Sequence, residues 1–310
     1  MPRLLSILML STLVSGLSTH TPMAETTTQE GMSNMTEALI TRSVTVPGAS
    51  IYVEKRGSGP NLLLLPGGAQ DAGVFTGLAT ALSDHFTVIS LDPRCNSRSP
   101  CEDTTSDLNV DQHADDAAAV IATFGGGPIF VFGTSGGAQV GLNLAARHPD
   151  LVRALVAHEP PSMMLMADPS VPLAADQALY DTYVADGVEA AIAQFMAENG
   201  LDEGEVQPPE MSPEDRETFD RMSGNFEYWL AHGMLPLSRY RADVEALKAG
   251  ALKIIVGLGE ASVGQPIHEM GTALSVALGV EPVTFPGDHM GFGMDPARFA
   301  ETLRSVLTAD

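Results

Sequence analysis

Short apolar runs rich in Val, Ile and Leu alternate along this chain with longer segments of helical period, from residue 44 onward. Such continuous apolar runs are typical of strands that are buried on both faces. The pattern predicts eight strands, the first two as a hairpin, at residues 44–46, 51–55, 62–65, 87–91, 129–132, 154–158, 252–258 and 282–285. It predicts helices between them at residues 111–124, 138–147, 267–278 and 296–307. This alternation predicts an α/β fold, an eight-stranded and mostly parallel sheet with helices on both faces.

The alternation is interrupted after residue 160. Up to residue 248 there are only amphipathic pieces, such as 188–196 and 214–230, separated by turns that contain Pro and Gly. We therefore predict an inserted helical cap at residues 161–248, above a core formed by residues 44–160 and 249–310. Large, adaptable apolar side chains of the cap are candidates for the wall of a substrate pocket, chiefly Trp229, Met163 and Phe226.

The N-terminus has the pattern of an export signal. A basic residue, Arg3, precedes an apolar run at residues 4–17, and small and polar residues follow. The run is shorter than the roughly 20 residues that a spanning helix needs. We predict a signal peptide at residues 1–24, a flexible leader at 25–43, and a secreted or periplasmic protein without stable membrane insertion. A start at Met32 or Met35 would instead leave the protein in the cytoplasm.

The net charge narrows the class of partner. Acidic residues outnumber basic ones 39 to 16, and the formal charge is -23. Such a surface repels nucleic-acid phosphates, so a small-molecule substrate is expected rather than nucleic acid. The composition leaves the oligomeric state open.

Two cysteines, Cys95 and Cys101, lie within the segment CNSRSPC. Their spacing matches neither a zinc pair nor a redox CxxC motif. Export would allow a small disulfide between them, and two independent thiols are the alternative.

The most specific motif is GTSGG at residues 133–137. It follows an apolar strand and precedes a helical run, so it fits a sharp strand-to-helix turn that presents Ser135 above the sheet edge. The helix N-terminus and the Gly136 amide there can stabilise a developing oxyanion. A glycine-rich phosphate turn is the alternative, but a phosphate loop would also contain a Lys. We interpret Ser135 as a nucleophile.

A second turn could supply the other oxyanion donor. The strand 62–65 ends in Pro66-Gly67-Gly68, and we choose the Gly68 amide as that donor. Gln70 lies close by, either as support for the oxyanion site or as a solvated turn residue.

The general base is predicted at His289. The segment PGDHMGF follows the last strand and precedes the final helix, so His289 reaches the same edge of the sheet as Ser135. Five other histidines lie in helices or turns away from strand ends: His85, His113, His148, His232 and His268.

The order of these motifs resembles the α/β-hydrolase superfamily over residues 44–308: PGG, then Asp92-Pro93-Arg94, then GTSGG, a cap and GDHMGF. The resemblance implies a Ser, acid, His triad in that chain order and hydrolysis without a cofactor or metal. It departs from the family where Cys95 and Ser97 replace two loop glycines, a change that bears on backbone shape rather than on activity.

The resemblance also indicates two places for the acid. The usual place follows the seventh strand, where one alignment puts Ser262, which cannot carry charge, and another puts Glu260. Several members place their acid after the sixth strand, where this chain has Glu159. We predict Glu159, with Glu260 as the alternative.

Together these residues predict a serine hydrolase that cleaves a small apolar carboxylic ester through an acyl-enzyme. Two alternatives remain open. A carbon–carbon bond hydrolase acting on a diketone-like substrate would use the same residues, and a non-catalytic binding protein could retain the fold.

Overall fold

The computed structural model of this chain describes residues 39–198, 212–250 and 252–309. The predicted signal peptide and most of the predicted leader lie outside these residues. In the described part of the chain, none of the helices has both the length and the apolar character needed to cross a membrane.

One eight-stranded sheet forms the centre of the molecule, in the order β1-β2-β4-β3-β5-β6-β7-β8. Its first two pairings, β1 with β2 and β2 with β4, are antiparallel, and all the others are parallel. The predicted mostly parallel sheet is confirmed. The strands are β1 Ile40–Val46, β2 Ala49–Arg56, β3 Asn61–Leu65, β4 Thr87–Leu91, β5 Ile129–Thr134, β6 Val152–His158, β7 Lys253–Gly259 and β8 Val283–Phe285.

Helices lie between the strands as the pattern predicted, with boundaries that differ by one or two residues. The helices are α1 Thr76–Leu82, α2 Val110–Thr123, α3 Gly136–Arg147, α4 Ser170–Asp186, α5 Val188–Glu198, α6 Pro213–Tyr228, α7 Met234–Ser238, α8 Val244–Ala249, α9 Pro266–Leu278, α10 Gly291–Met294 and α11 Pro296–Thr308. A π-helical turn, Trp229–Gly233, joins α6 to α7. The segment predicted as the cap therefore contains α4 to α8, and it joins β6 to β7.

Both faces of the sheet are buried, which explains the continuous apolar runs. Along β3, Leu63 and Leu65 belong to one core cluster, while Leu62 and Leu64 belong to another on the opposite face. Side chains alternate between the faces of a strand, so a strand covered on both sides needs apolar residues at every position.

The first strand is longer than predicted. Strand β1 begins at Ile40, so residues 40–43, predicted as the end of the leader, pair with β2. The apolar pattern missed residues 40–43 because all four are exposed on this edge strand. Only Val44 and Val46 of β1 are buried. An exposed edge strand lacks the apolar signal used to find buried strands.

A disulfide closes the loop after β4. Cys95 and Cys101 are bonded, with their Cα atoms 5.0 Å apart. Cys95 and Ser97 have φ angles of 63° and 47°, the left-handed conformation that favours glycine. The loop therefore keeps glycine-like backbone angles where the superfamily pattern has glycines.

Candidate active site

Ser135 lies in a tight turn between β5 and α3. A Cβ on Gly133 would collide with the carbonyl oxygen of Gly137, and one on Gly137 would collide with that of Leu65, so both positions require glycine. Ser135 itself has φ 53° and ψ -127°. A non-glycine residue in such a conformation costs about 1–3 kcal/mol and is often found at a functional site. The turn places Ser135 at the N-terminus of α3, as predicted.

Glu159 and His289 are brought together at the carboxyl edge of the sheet. His289 Nδ1 lies 2.9 Å from Glu159 Oε2, and Glu159 Oε1 accepts a hydrogen bond of 2.8 Å from the Gly259 amide. The Glu159 side chain is fully buried, whereas the His289 side chain is 26% exposed. Glu159 also has a positive φ, 43°. The carboxylate is thus held rigidly against the imidazole.

The environment keeps the Glu159 carboxylate charged. Burial by itself would raise the pKa of Glu159, but the hydrogen bond and charge of His289 outweigh burial and lower the pKa to about 2. A charged carboxylate at Nδ1 fixes the tautomer of His289 that leaves Nε2 able to accept a proton.

Glu260, the alternative candidate for the acid, pairs with Arg298 and not with His289. Glu260 forms an exposed ion pair with Arg298, with Oε1 2.7 Å from Nη1, and it accepts from the Gly287 amide at 3.4 Å. Ser262, the other residue aligned with the usual acid position, has a buried hydroxyl without a hydrogen-bond partner among the described residues. Neither contacts His289 in the way that Glu159 does.

His158 lies beside the pair, and sequence analysis assigned it no role. Its ring is stacked on His289, with centroids 6.3 Å apart, and its Nδ1 lies 3.1 Å from the Thr134 hydroxyl. Burial, more than the nearby charges, lowers the pKa of His158 to about 3, so the ring is neutral. Its position at the end of β6, next to Glu159, is the signal that could have identified it.

The turn after β3 lies against the start of α3. The Gly68 amide nitrogen is 3.6 Å from the point that a Cβ on Gly136 would occupy, so these two backbone segments face each other. Gln70 Oε1 accepts from the Gly67 amide at 2.9 Å, and Gln70 Nε2 lies 3.4 Å from the Met290 sulfur. Gln70 therefore shapes this turn and links it to the His289 loop.

The disulfide loop supports the same turn. Asn96 Nδ2 lies 3.3 Å from the Gly68 carbonyl oxygen and 3.5 Å from that of Gln70. Asn225 of α6 donates to the Ala69 carbonyl at 3.0 Å and accepts from the Ser97 amide at 2.7 Å. Helix α6 is thus attached directly to the elements around the predicted oxyanion site.

A small, largely apolar cleft with a cavity volume of about 40 Å³ lies beside Gly68 and Gly136. Trp229, one of the predicted substrate-contacting residues, is part of its lining. Phe226 is not; its ring packs against Trp229 with centroids 6.1 Å apart, so it supports the cleft wall from behind. Met163 is buried in a short 3-10 helix after β6 and is likewise not part of the lining.

The chain is similar to several known hydrolases. The model of the α/β hydrolase fold family matches residues 60–199. An uncharacterized hydrolase, YraK, from Bacillus subtilis is 32% identical over 266 residues, covering 84% of this chain and 94% of the relative. The 2-(acetamidomethylene)succinate hydrolase of Mesorhizobium japonicum is 37% identical over 118 residues, 38% of this chain and 42% of the relative. The structure of an α/β hydrolase from Sphaerobacter thermophilus is 26% identical with a TM-score of 0.63, covering 86% of this chain and all of that one.

Proposed function

Because this chain belongs to the α/β-hydrolase family and is a hydrolase of that fold, we propose that it cleaves small apolar carboxylic esters through a serine acyl-enzyme. The observation that carries the proposal is the 2.9 Å contact between the buried, charged Glu159 and His289 Nδ1. A carboxylate in this position orients an imidazole to act as the base for a neighbouring serine.

In the proposed reaction, Ser135 Oγ attacks the ester carbonyl and His289 Nε2 takes its proton. Glu159 stabilises the imidazolium that forms. The amides of Gly68 and Gly136 hold the oxyanion, and His289 then returns the proton to the leaving alcohol. A water molecule, activated by His289, releases the acid and restores Ser135.

The cleft supports an apolar substrate. Most of its lining is aliphatic or aromatic, including Leu108, Val140 and Leu237, and it lies next to both proposed oxyanion donors. A chain attached to a carbonyl bound at those amides would therefore transfer from water to apolar walls. Cleavage of a carbon–carbon bond, the alternative reaction, would use the same catalytic groups. Assays with ester and diketone substrates distinguish the two reactions.

We also propose that the protein is exported. The disulfide between Cys95 and Cys101 supports this, since disulfides persist in oxidising compartments and are rare in the cytosol. The basic and apolar pattern of residues 1–24 is the second support.

The proposal is tested by labelling with a fluorophosphonate, followed by mapping of the modified peptide and a panel of p-nitrophenyl esters of increasing chain length. We expect a single adduct on Ser135 and turnover of the esters, with neither in Ser135→Ala. A folded wild-type protein that is neither labelled nor active would favour a binding protein. Faster cleavage of diketones than of any ester would favour the carbon–carbon hydrolase.

A further inference from the structure

A buried histidine in the cleft has a ring nitrogen without a partner. His113 of α2 is 8% exposed and lines the cleft, and its Nε2 has no hydrogen-bond partner among the described residues. Buried polar atoms are almost always hydrogen-bonded, because leaving one unpaired costs about 1–3 kcal/mol. Because His113 belongs to the cleft wall, a polar group bound in the cleft is one source of the missing partner.

The surroundings of His113 keep its ring uncharged. Burial, and to a smaller extent the positive charge of Arg94, lower the pKa of His113 to about 4. A neutral imidazole nitrogen donates to a carbonyl or ether oxygen, or accepts from a hydroxyl, according to its tautomer.

The nearby charges are already paired with each other. Arg94 donates to Asp116 through Nε at 2.9 Å and through Nη2 at 2.7 Å, and Nη2 also contacts the Pro47 carbonyl oxygen at 3.1 Å. Asp116 lines the cleft, whereas no Lys or Arg is among the described residues that line it. The cleft thus offers hydrogen bonding at His113 without a free cation for an anionic group.

His113 shares the cleft with Gly68 and Gly136, and apolar side chains such as Leu108, Leu91 and Val140 line the same space. An acyl chain whose carbonyl is held at the two amides would lie along these apolar walls. We propose that His113 is a specificity-determining residue that binds an uncharged oxygen-bearing group, a hydroxyl or a ketone, on an otherwise apolar acyl chain. This inference rests on the proposed esterase function, and it narrows the substrate class to neutral, oxygenated acyl esters.

The test compares four p-nitrophenyl esters of equal chain length, chosen as the length that the wild-type protein hydrolyses fastest. One is the plain alkyl ester, and the others carry a ketone, a hydroxyl or a carboxylate on the acyl chain. In the wild-type protein we expect kcat/KM for the ketone or hydroxyl ester to exceed that of the alkyl ester roughly three- to tenfold, the effect of one net hydrogen bond. The carboxylate ester should be the poorest of the four.

The variants His113→Leu and His113→Gln separate hydrogen bonding from shape. His113→Leu should abolish the preference for the oxygenated ester, and His113→Gln, which keeps a polar group, should retain part of it. His85→Leu is the matched control, because His85 is exposed and is not among the residues that line the cleft. It should keep the wild-type ratio. The ratio of two substrates on one protein is insensitive to the fraction of enzyme that is folded.

The outcomes distinguish the two proposals. Absence of labelling and of any ester turnover in the wild-type protein would overturn the proposed function itself. An active wild-type protein with no preference for either oxygenated ester, or a ratio unchanged in His113→Leu, would overturn only the role of His113. A preference for the carboxylate ester would indicate that Arg94 binds an anion, and it would also overturn the inference. If both His113 variants fail to fold, the wild-type ratios alone decide.

Discussion

Glu159 and His289 lie 2.9 Å apart through Oε2 and Nδ1, although 130 residues separate them in the chain. Glu159 directly follows β6 and His289 follows β8, and β7 lies between these two strands in the sheet. The long Glu side chain therefore reaches past the end of β7, where the Gly259 amide holds its other oxygen.

Replacement of Glu159 by Gln should lower kcat by roughly 10⁴, the loss seen when a triad imidazole is left in the wrong tautomer. Glu260→Gln is the matched control. Its carboxylate is paired with Arg298 at the surface, so kcat should stay near the wild-type value. Steady-state kinetics of both variants check this; a crippled Glu260→Gln beside an active Glu159→Gln would reverse the assignment.

Replacement of Ser135 should reveal its backbone strain. Ser135→Gly should have a free energy of unfolding about 1 kcal/mol higher than Ser135→Ala, because glycine adopts φ 53° without a Cβ clash. Both variants should lose fluorophosphonate labelling. Urea unfolding gives the comparison, and equal stabilities would show that the turn is not strained.

The cap segment is attached to the core through Arg221 and Asp71. Arg221 Nε donates to Asp71 Oδ2 at 2.8 Å, and the Asp71 side chain is fully buried. Arg221→Met should lower the free energy of unfolding by about 3 kcal/mol, because it removes the hydrogen-bonded ion-pair partner of a buried carboxylate. The exposed Arg216→Met on the same helix is the control and should change stability little. Adding Asp71→Asn should recover part of the loss; no recovery would argue against the ion pair as the cause.

The disulfide should stabilise both the fold and the oxyanion turn. Cys95→Ser with Cys101→Ser should lower the free energy of unfolding by about 2 kcal/mol, the loop-closure entropy of so short a loop. It should also lower kcat, since Asn96 within the loop supports Gly68. Reductant should bring the wild-type protein to the stability of the double variant and leave that variant unchanged. A wild-type protein unaffected by complete reduction would contradict this.

Two buried neutral histidines should make stability depend on pH. The pKa values of His113 and His158 are lowered to about 4 and about 3, whereas an unfolded histidine titrates near about 6.5. Below that pH the unfolded chain binds protons that the folded chain does not, so stability falls as pH falls from about 6.5 toward 4.

His113→Leu removes one of these sites. The stability of the variant should therefore fall less steeply on acidification than that of the wild-type protein, by up to about 1.4 kcal/mol per pH unit. Urea unfolding at several pH values between about 4 and 6.5 measures how the free energy of unfolding changes with pH. His85→Leu, a replacement at an exposed position, is the control and should keep the wild-type slope; equal slopes for His113→Leu would mean that His113 is protonated in the folded protein.

The local pattern of the chain was enough to predict the sheet, its main helices and the positions of Ser135 and His289. Each of these depends on a few neighbouring residues: an apolar run, a glycine turn, or a polar residue that directly follows a strand. Signals of this kind lie within a few consecutive residues, so they can be recognised without knowing which other elements pack against them.

Other features were decided only by packing between distant segments. From the sequence we predicted Glu159 as the acid and kept Glu260 as the alternative, and only the tertiary structure directs the first to His289 and the second to Arg298. Whether Cys95 and Cys101 are bonded depends on their 5.0 Å separation in a folded loop. His113 lies in α2, and the pattern of polar and apolar residues in that helix does not show which other elements pack against it. Only the packing of α2 against α3 and the sheet places His113 in the lining of the cleft, because burial is a property of the assembled layers and not of the residue.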